Sequence, residues 1–190
     1  MICVVRHLAL WFWRLRGWKF EGNKPAEKRY IIIAVPHTSN WDFILFLAAA
    51  AAFDIPLRYI GKHTLFKWPF GGLMRRWGGI PVDRSAAGGM VGQVAEAIKA
   101  SEEAALVITP EGTRGESEFW KSGFYRIAQA ADVPVLLARD DWATKVVELG
   151  PWIHPSGNVK ADMDRIRSFY AGVVGRHPER QGPMRMKEEG

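Results

Sequence analysis

Short apolar runs alternate with polar breaks along most of the chain, and their lengths separate strands from helices. Residues 30–35 (YIIIAV) form a β-branched run stopped by Pro36, the pattern of a buried strand. Residues 43–53 are apolar on every side, and Ser39 or Asn40 stands where an N-cap belongs, so a helix facing a core or lipid is predicted there. Further strands are predicted at 57–60, 80–82, 104–109, 133–138 and 144–149, with Pro110 ending the run before it. Helices are predicted at 90–100, 120–131 and 161–174, the last with Asp162 in its first turn. Residues 65–77 are mixed, interrupted by Pro69 and by Gly71 and Gly72. Strands alternating with helices imply an α/β fold. The reading is a single domain over 18–175, a mixed β-sheet flanked by helices, followed by a flexible polar tail over 176–190.

The first 17 residues read differently. On a helical projection Arg6, His7 and Arg14 fall in an arc of about 100°, while Val4, Val5, Leu8, Trp11, Phe12 and Leu15 occupy the broad opposite face. Leu10 and Cys3 intrude on the polar arc and Arg16 on the apolar one. Tryptophans beside basic residues suit an amphipathic helix lying in a lipid headgroup region; the competing reading packs the same helix on the protein's own core. Arg6 and His7 interrupt the stretch and no small-residue cleavage site follows, so it is expected to stay attached rather than to be a signal peptide. No membrane span is expected either, because the longest run without a polar residue, 43–53, is well short of the ~20 residues a crossing helix needs.

Composition sharpens this picture. With 190 residues, 48% of them hydrophobic, and a net charge of +6, the chain is neither disordered nor fibrous. Its charge is uneven: residues 1–30 hold seven basic and two acidic residues, and residues 58–84 hold six basic residues against Asp83 alone. Such basic zones, beside nine tryptophans, would suit an anionic membrane surface or a nucleic acid. Zinc-finger spacing, a basic heptad helix and an RNA-binding strand pattern are all missing from the sequence, so no nucleic acid is expected as partner. One cysteine, Cys3, forms no internal disulfide and suits a reducing compartment.

Candidate chemistry gathers where predicted strands end, at the edge where open α/β sheets collect ligands. The segment PHTSNWD places His37 directly after a strand and Asp42 in the first turn of the next helix. A carboxylate on one imidazole nitrogen leaves the other to take a proton, which makes a general base. The same residues match a capping box, Ser39 with an acid three positions on, and the segment alone favours the cap. In TPEGTRG, Glu111, Gly112, Thr113 and Arg114 lie in one turn that can aim amides, a hydroxyl and a guanidinium at an anion, or simply pair Glu111 with Arg114. Lys62 and Arg84 follow two other strands, and a phosphate would hold them beside Arg114 against mutual repulsion; singly, each is an ordinary surface cation. GxSxG and GxxxxGK[ST] are both absent from the sequence, which argues against a serine hydrolase or a P-loop, and the histidines lack metal-ligand spacing.

Taken in order, HTSNWD, GGIPVDR, PEGTR and VPV resemble the four motifs of the glycerolipid acyltransferase family typified by 1-acylglycerol-3-phosphate acyltransferase, over residues 37–135. The resemblance implies that His37 is the general base on an acceptor hydroxyl, that Asp42 orients it, and that Arg84, Glu111, Gly112 and Arg114 shape the acceptor site, with Lys62 in a phosphate clamp and Thr113 in the same turn. It implies an acyl thioester, acyl-CoA or an acyl group on acyl carrier protein, as co-substrate, with no metal or other cofactor. The expected reaction acylates a lysophospholipid, with 1-acyl-sn-glycerol 3-phosphate giving phosphatidic acid. Another lipid hydroxyl acceptor, or a non-catalytic lipid-binding module on the same fold, are the rival readings. The expected location is peripheral, on the cytoplasmic face of the cell membrane.

Overall fold

The computed structural model describes residues 2–67, 71–76, 78–82 and 89–189. After helix α1 (Ile2–Leu15) come β1 (Lys19–Glu21), β2 (Arg29–Val35), α2 (Asn40–Ala52), β3 (Leu57–Lys62), α3 (Gly71–Arg76), β4 (Gly79–Val82), α4 (Gly89–Lys99) and β5 (Ala104–Ile108). Then follow α5 (Gly123–Ala131), β6 (Val135–Asp141), β7 (Val146–Ile153) and α6 (Val159–Tyr170). The strands form one sheet in the order β1-β7-β6-β2-β5-β3-β4. Among the described residues only the β6/β7 pair is antiparallel, so the sheet is mixed, as the sequence implies.

The central strands are apolar without alternation because both faces of the sheet are covered. Ile31, Ile33 and Val35 of β2 join Leu106, Val135 and Leu137 in a core closed by Val94 and Ile98 of α4, Phe124 and Ile127 of α5, and Met163 and Ile166 of α6. Tyr30 and Ile32 point the other way and join Ala105, Leu136 and Ala138 in a second core under α1 and α2. The side-chain period of two therefore splits one apolar run between two layers.

Helix α1 belongs to that second core. Ala9, Leu10, Trp13 and the following Trp18 are buried, whereas Val4, Val5, Leu8, Trp11 and Leu15 are 49–68% exposed. The apolar face read from the sequence is thus largely the outward one, and the inward one rests on residues that had looked like intrusions or bystanders.

Strand β7 continues to Ile153, beyond the predicted 149, through a pairing irregularity opposite Leu137. Gly150 sits there because the Phe169 ring comes within 2.3 Å of where a Cβ would stand. The segment after α6, read as a flexible tail, lies along the domain: Met186 is 3% exposed and bridges to Trp120, and Glu188 and Glu189 pair with Arg126 and Arg167 at 2.9 and 2.7 Å.

Candidate active site

Three chain segments meet at one edge of the sheet: the β2/α2 turn, the loop after β5, and the end of β6. In the first, Asp42 Oδ2 accepts the amides of Thr38 and Ser39, both at 2.8 Å, while the Ser39 hydroxyl accepts the amide of Trp41 at 3.2 Å. The capping box is therefore formed. The same carboxylate oxygen lies 3.5 Å from His37 Nδ1, so cap and dyad coexist in one side chain. That separation is ion-pair reach rather than a tight hydrogen bond. Asp42 is nearly enclosed, with 6% of its side chain exposed, and His37 keeps 22% open to solvent.

The backbone around His37 is held from the second segment. Glu111 Oε1 accepts the His37 amide at 3.0 Å, and Glu111 Oε2 is buried without a hydrogen-bond partner among the described residues. Burial pushes the Glu111 carboxyl above its usual range, against the lowering effect of its backbone hydrogen bonds. Glu111 thus braces His37 from behind and does not line either cavity at the site. Arg114 extends forward and donates from Nη1 to the side-chain oxygen of Asn40, one residue before Trp41 in the same turn. Gly112, at φ +65°, passes under the Lys121 side chain, which would come within 2.6 Å of a Cβ. Thr113 Oγ1 accepts the amide of Gly115 at 3.2 Å.

The third segment adds residues that no sequence motif marked. Trp142 Nε1 lies 3.2 Å from both Asp42 Oδ1 and Asp140 Oδ2 and so donates between the two carboxyls. Enclosure by protein, then the charge of Asp42, drives the Asp140 carboxyl well above its ordinary value. Arg176 lies over the faces of Trp142 and Trp41, 4.9 and 5.4 Å from the ring centroids. A tryptophan just past a strand looks like core packing in a sequence; only the fold reveals its carboxylate.

Two cavities meet at His37. One, of about 730 Å³, runs between α2 and the sheet along Ala34, Phe46, Ala49, Val107, Ala138 and Leu149, with His37, Asp42, Arg114 and Asp140 at its polar end. The other, of about 640 Å³, is lined by His37, Thr109, Gly112, Thr113, Arg114, Gly115 and Arg180. Their sizes suit small-molecule or lipid-chain sites. The structure thus brings together His37, Asp42, Gly112, Thr113 and Arg114. Lys62 closes β3, on the same sheet edge two strands from β2, and only its backbone is described. Arg84 lies outside the described residues. Among the described residues no cluster of potential metal ligands occurs.

A model of the family described as Acyltransferase matches residues 18–136, which spans the β2/α2 turn and the loop after β5. Among solved structures, the crystal structure of the 1-acyl-sn-glycerophosphate acyltransferase PlsC from Thermotoga maritima is similar in fold, with a TM-score of 0.58 and 19% identity, covering 92% of this chain and 81% of that one. A search of curated proteins finds no significant match.

Proposed function

This chain belongs to the acyltransferase family, and from that premise we propose that it moves a fatty acyl group from an acyl thioester to a hydroxyl of a lysophospholipid, 1-acyl-sn-glycerol 3-phosphate giving phosphatidic acid. The supporting observation is the His37/Asp42 pair standing where an apolar and a polar cavity join. Because Nδ1 faces Asp42, Nε2 is the nitrogen that receives the acceptor's proton. The acceptor oxygen attacks the thioester carbonyl carbon, the C–S bond breaks, and the departing thiolate of coenzyme A or acyl carrier protein recovers the proton from His37. Asp42 stabilises the imidazolium in between, with its other oxygen held by Trp142. The apolar cavity takes an acyl chain and the polar one the headgroup.

The same reading places the protein peripherally on the cytoplasmic face of a membrane. Trp41 and Phe43, 42% and 59% exposed, line the mouth of the apolar cavity, and Phe12 of α1 stacks on Trp41, with centroids 6.3 Å apart. The outward face of α1 and the entrance to the site therefore form one apolar surface, fringed by Arg16 over Phe12 and Arg176 over Trp41. Among the described residues no helix is long and apolar enough to cross a membrane.

The test is thiol release from acyl-CoA in the presence of 1-acyl-sn-glycerol 3-phosphate, neutral monoacylglycerol or other lysolipids. Transfer to the phosphate acceptor is expected, and His37→Ala should lower its rate by about 10²–10⁴-fold, the range for a lost general base. Full turnover by that variant overturns the mechanism, and transfer to a different lysolipid alone overturns the acceptor.

A further inference from the structure

The polar cavity is completed by a part of the chain that carries no motif. After α6 the backbone returns across the β2/α2 turn: the His177 amide donates to Thr38 Oγ1 at 3.1 Å, and Arg180 Nη1 comes within 3.5 Å of Thr38 O. The return is tight. A Cβ on Gly175 would stand 2.9 Å from Thr38 Oγ1 and 3.0 Å from Pro36, and the Gly175 amide donates to Gln181 Oε1 at 2.7 Å, closing a small loop that carries Arg180. Its guanidinium lines the cavity together with Arg114 and His37.

Two guanidiniums sharing a cavity whose described lining includes no carboxylate make a site for an anion. Arg180 does have an acidic neighbour, Glu179, but the pair is long, at 3.7 Å, and both side chains are about half or more exposed, at 49% and 66%. Such a pair contributes little and yields readily to a better anion. Arg114 spends Nη1 on Asn40, which fixes the orientation of its fork and leaves further N–H donors.

We propose that Arg180 is a ligand for the phosphate group of the acceptor, shared with Arg114, and that it makes the site discriminate phosphate-bearing acceptors from uncharged ones. The inference rests on the acyl-acceptor reading above and adds to it a residue from outside the family-matched segment. The phosphates of coenzyme A carry the same chemistry, so the test separates the two sources.

Binding of glycerol 3-phosphate and of coenzyme A to the whole chain is measured by titration calorimetry for the parent, Arg180→Ala, Arg180→Lys and the control Arg185→Ala, which lines neither cavity, each first checked for an unchanged melting temperature. Arg180→Ala should weaken glycerol 3-phosphate about tenfold or more, Arg180→Lys less, and Arg185→Ala not at all, with coenzyme A unaffected. In turnover, the KM for 1-acyl-sn-glycerol 3-phosphate should rise by the same factor at constant kcat, and the KM for a neutral monoacylglycerol should stay put. Undiminished glycerol 3-phosphate binding by Arg180→Ala, no binding by the parent, or a loss confined to coenzyme A overturns the proposal. Arg180-dependent glycerol 3-phosphate binding without acyl transfer to any lysolipid would instead sustain this site and overturn the acyltransfer reading.

Discussion

One carboxylate, that of Asp42, joins the helix cap to the dyad. It receives two amides and an indole N–H and faces His37, so its hydrogen-bonding capacity is used despite its enclosure. The motif spacing makes the cap and the approach to His37 legible, while the partner on the other side, Trp142, is not, since a hundred residues separate it from Asp42. Asp140 next to it has a measurable signature. Its folded-state value is raised, by enclosure first and then by Asp42, with Glu111 adding to the effect and the Trp142 hydrogen bond opposing it. The unfolded chain therefore gives up this proton first, near the ordinary aspartate value of about 3.9. From there up to the folded value the native state binds more protons, so rising pH destabilises it. Asp140→Asn cannot ionise and escapes this loss. Its melting temperature relative to the parent should thus be higher at about pH 8 than at about pH 4; a difference that stays constant with pH would contradict the assignment.

At the level of elements, α1 is the case where periodicity misleads. Both of its faces are apolar, so the pattern located a helix and an exposed stripe but not the buried one. The core reading holds for one face, where Trp13 is 2% exposed and wedged edge-on against Trp18, Trp41 and Trp142, while Trp11 and Leu15 on the other are 64% and 68% exposed. The two faces should separate experimentally. Trp11→Ser with Leu15→Ser should leave the melting temperature within a few degrees of the parent and reduce co-sedimentation with anionic liposomes at least severalfold, whereas Trp13→Ala should cost about 3–5 kcal/mol in stability. Equal sedimentation of the double variant would remove the membrane role of this face. Strand β1 escaped notice for a simpler reason: three residues, KFE, carry no period, and their pairing to β7 is decided by the sheet.

On the scale of the whole molecule, what could be read early was what the chain states locally: strand runs, the order of helices, and motifs placed just past strand ends. The path of residues 176–189 was hidden because polar residues docked by distant partners look like a tail. Arg126 reaches Glu188, Arg167 reaches Glu189, and Arg185 reaches Glu118. Between them Met186 is inserted beside Trp120 in the core that holds Phe124 and Tyr170. This segment should consequently unfold with the domain. Met186→Ala is expected to lower the free energy of unfolding by about 2–5 kcal/mol in a single denaturant transition. A separate early transition, or no change, would show that the segment is merely laid on the surface.

The knot of indoles around the dyad also has an optical consequence. Trp13, Trp18 and Trp142 meet edge to face at 5.0–5.6 Å, and Trp41 approaches Trp13 at 6.0 Å, close enough for their electronic transitions to couple. One of these chromophores touches Asp42 and another opens onto the cavity mouth. Emission colour and far-ultraviolet ellipticity should therefore change, without any added dye, if an apolar chain enters the mouth.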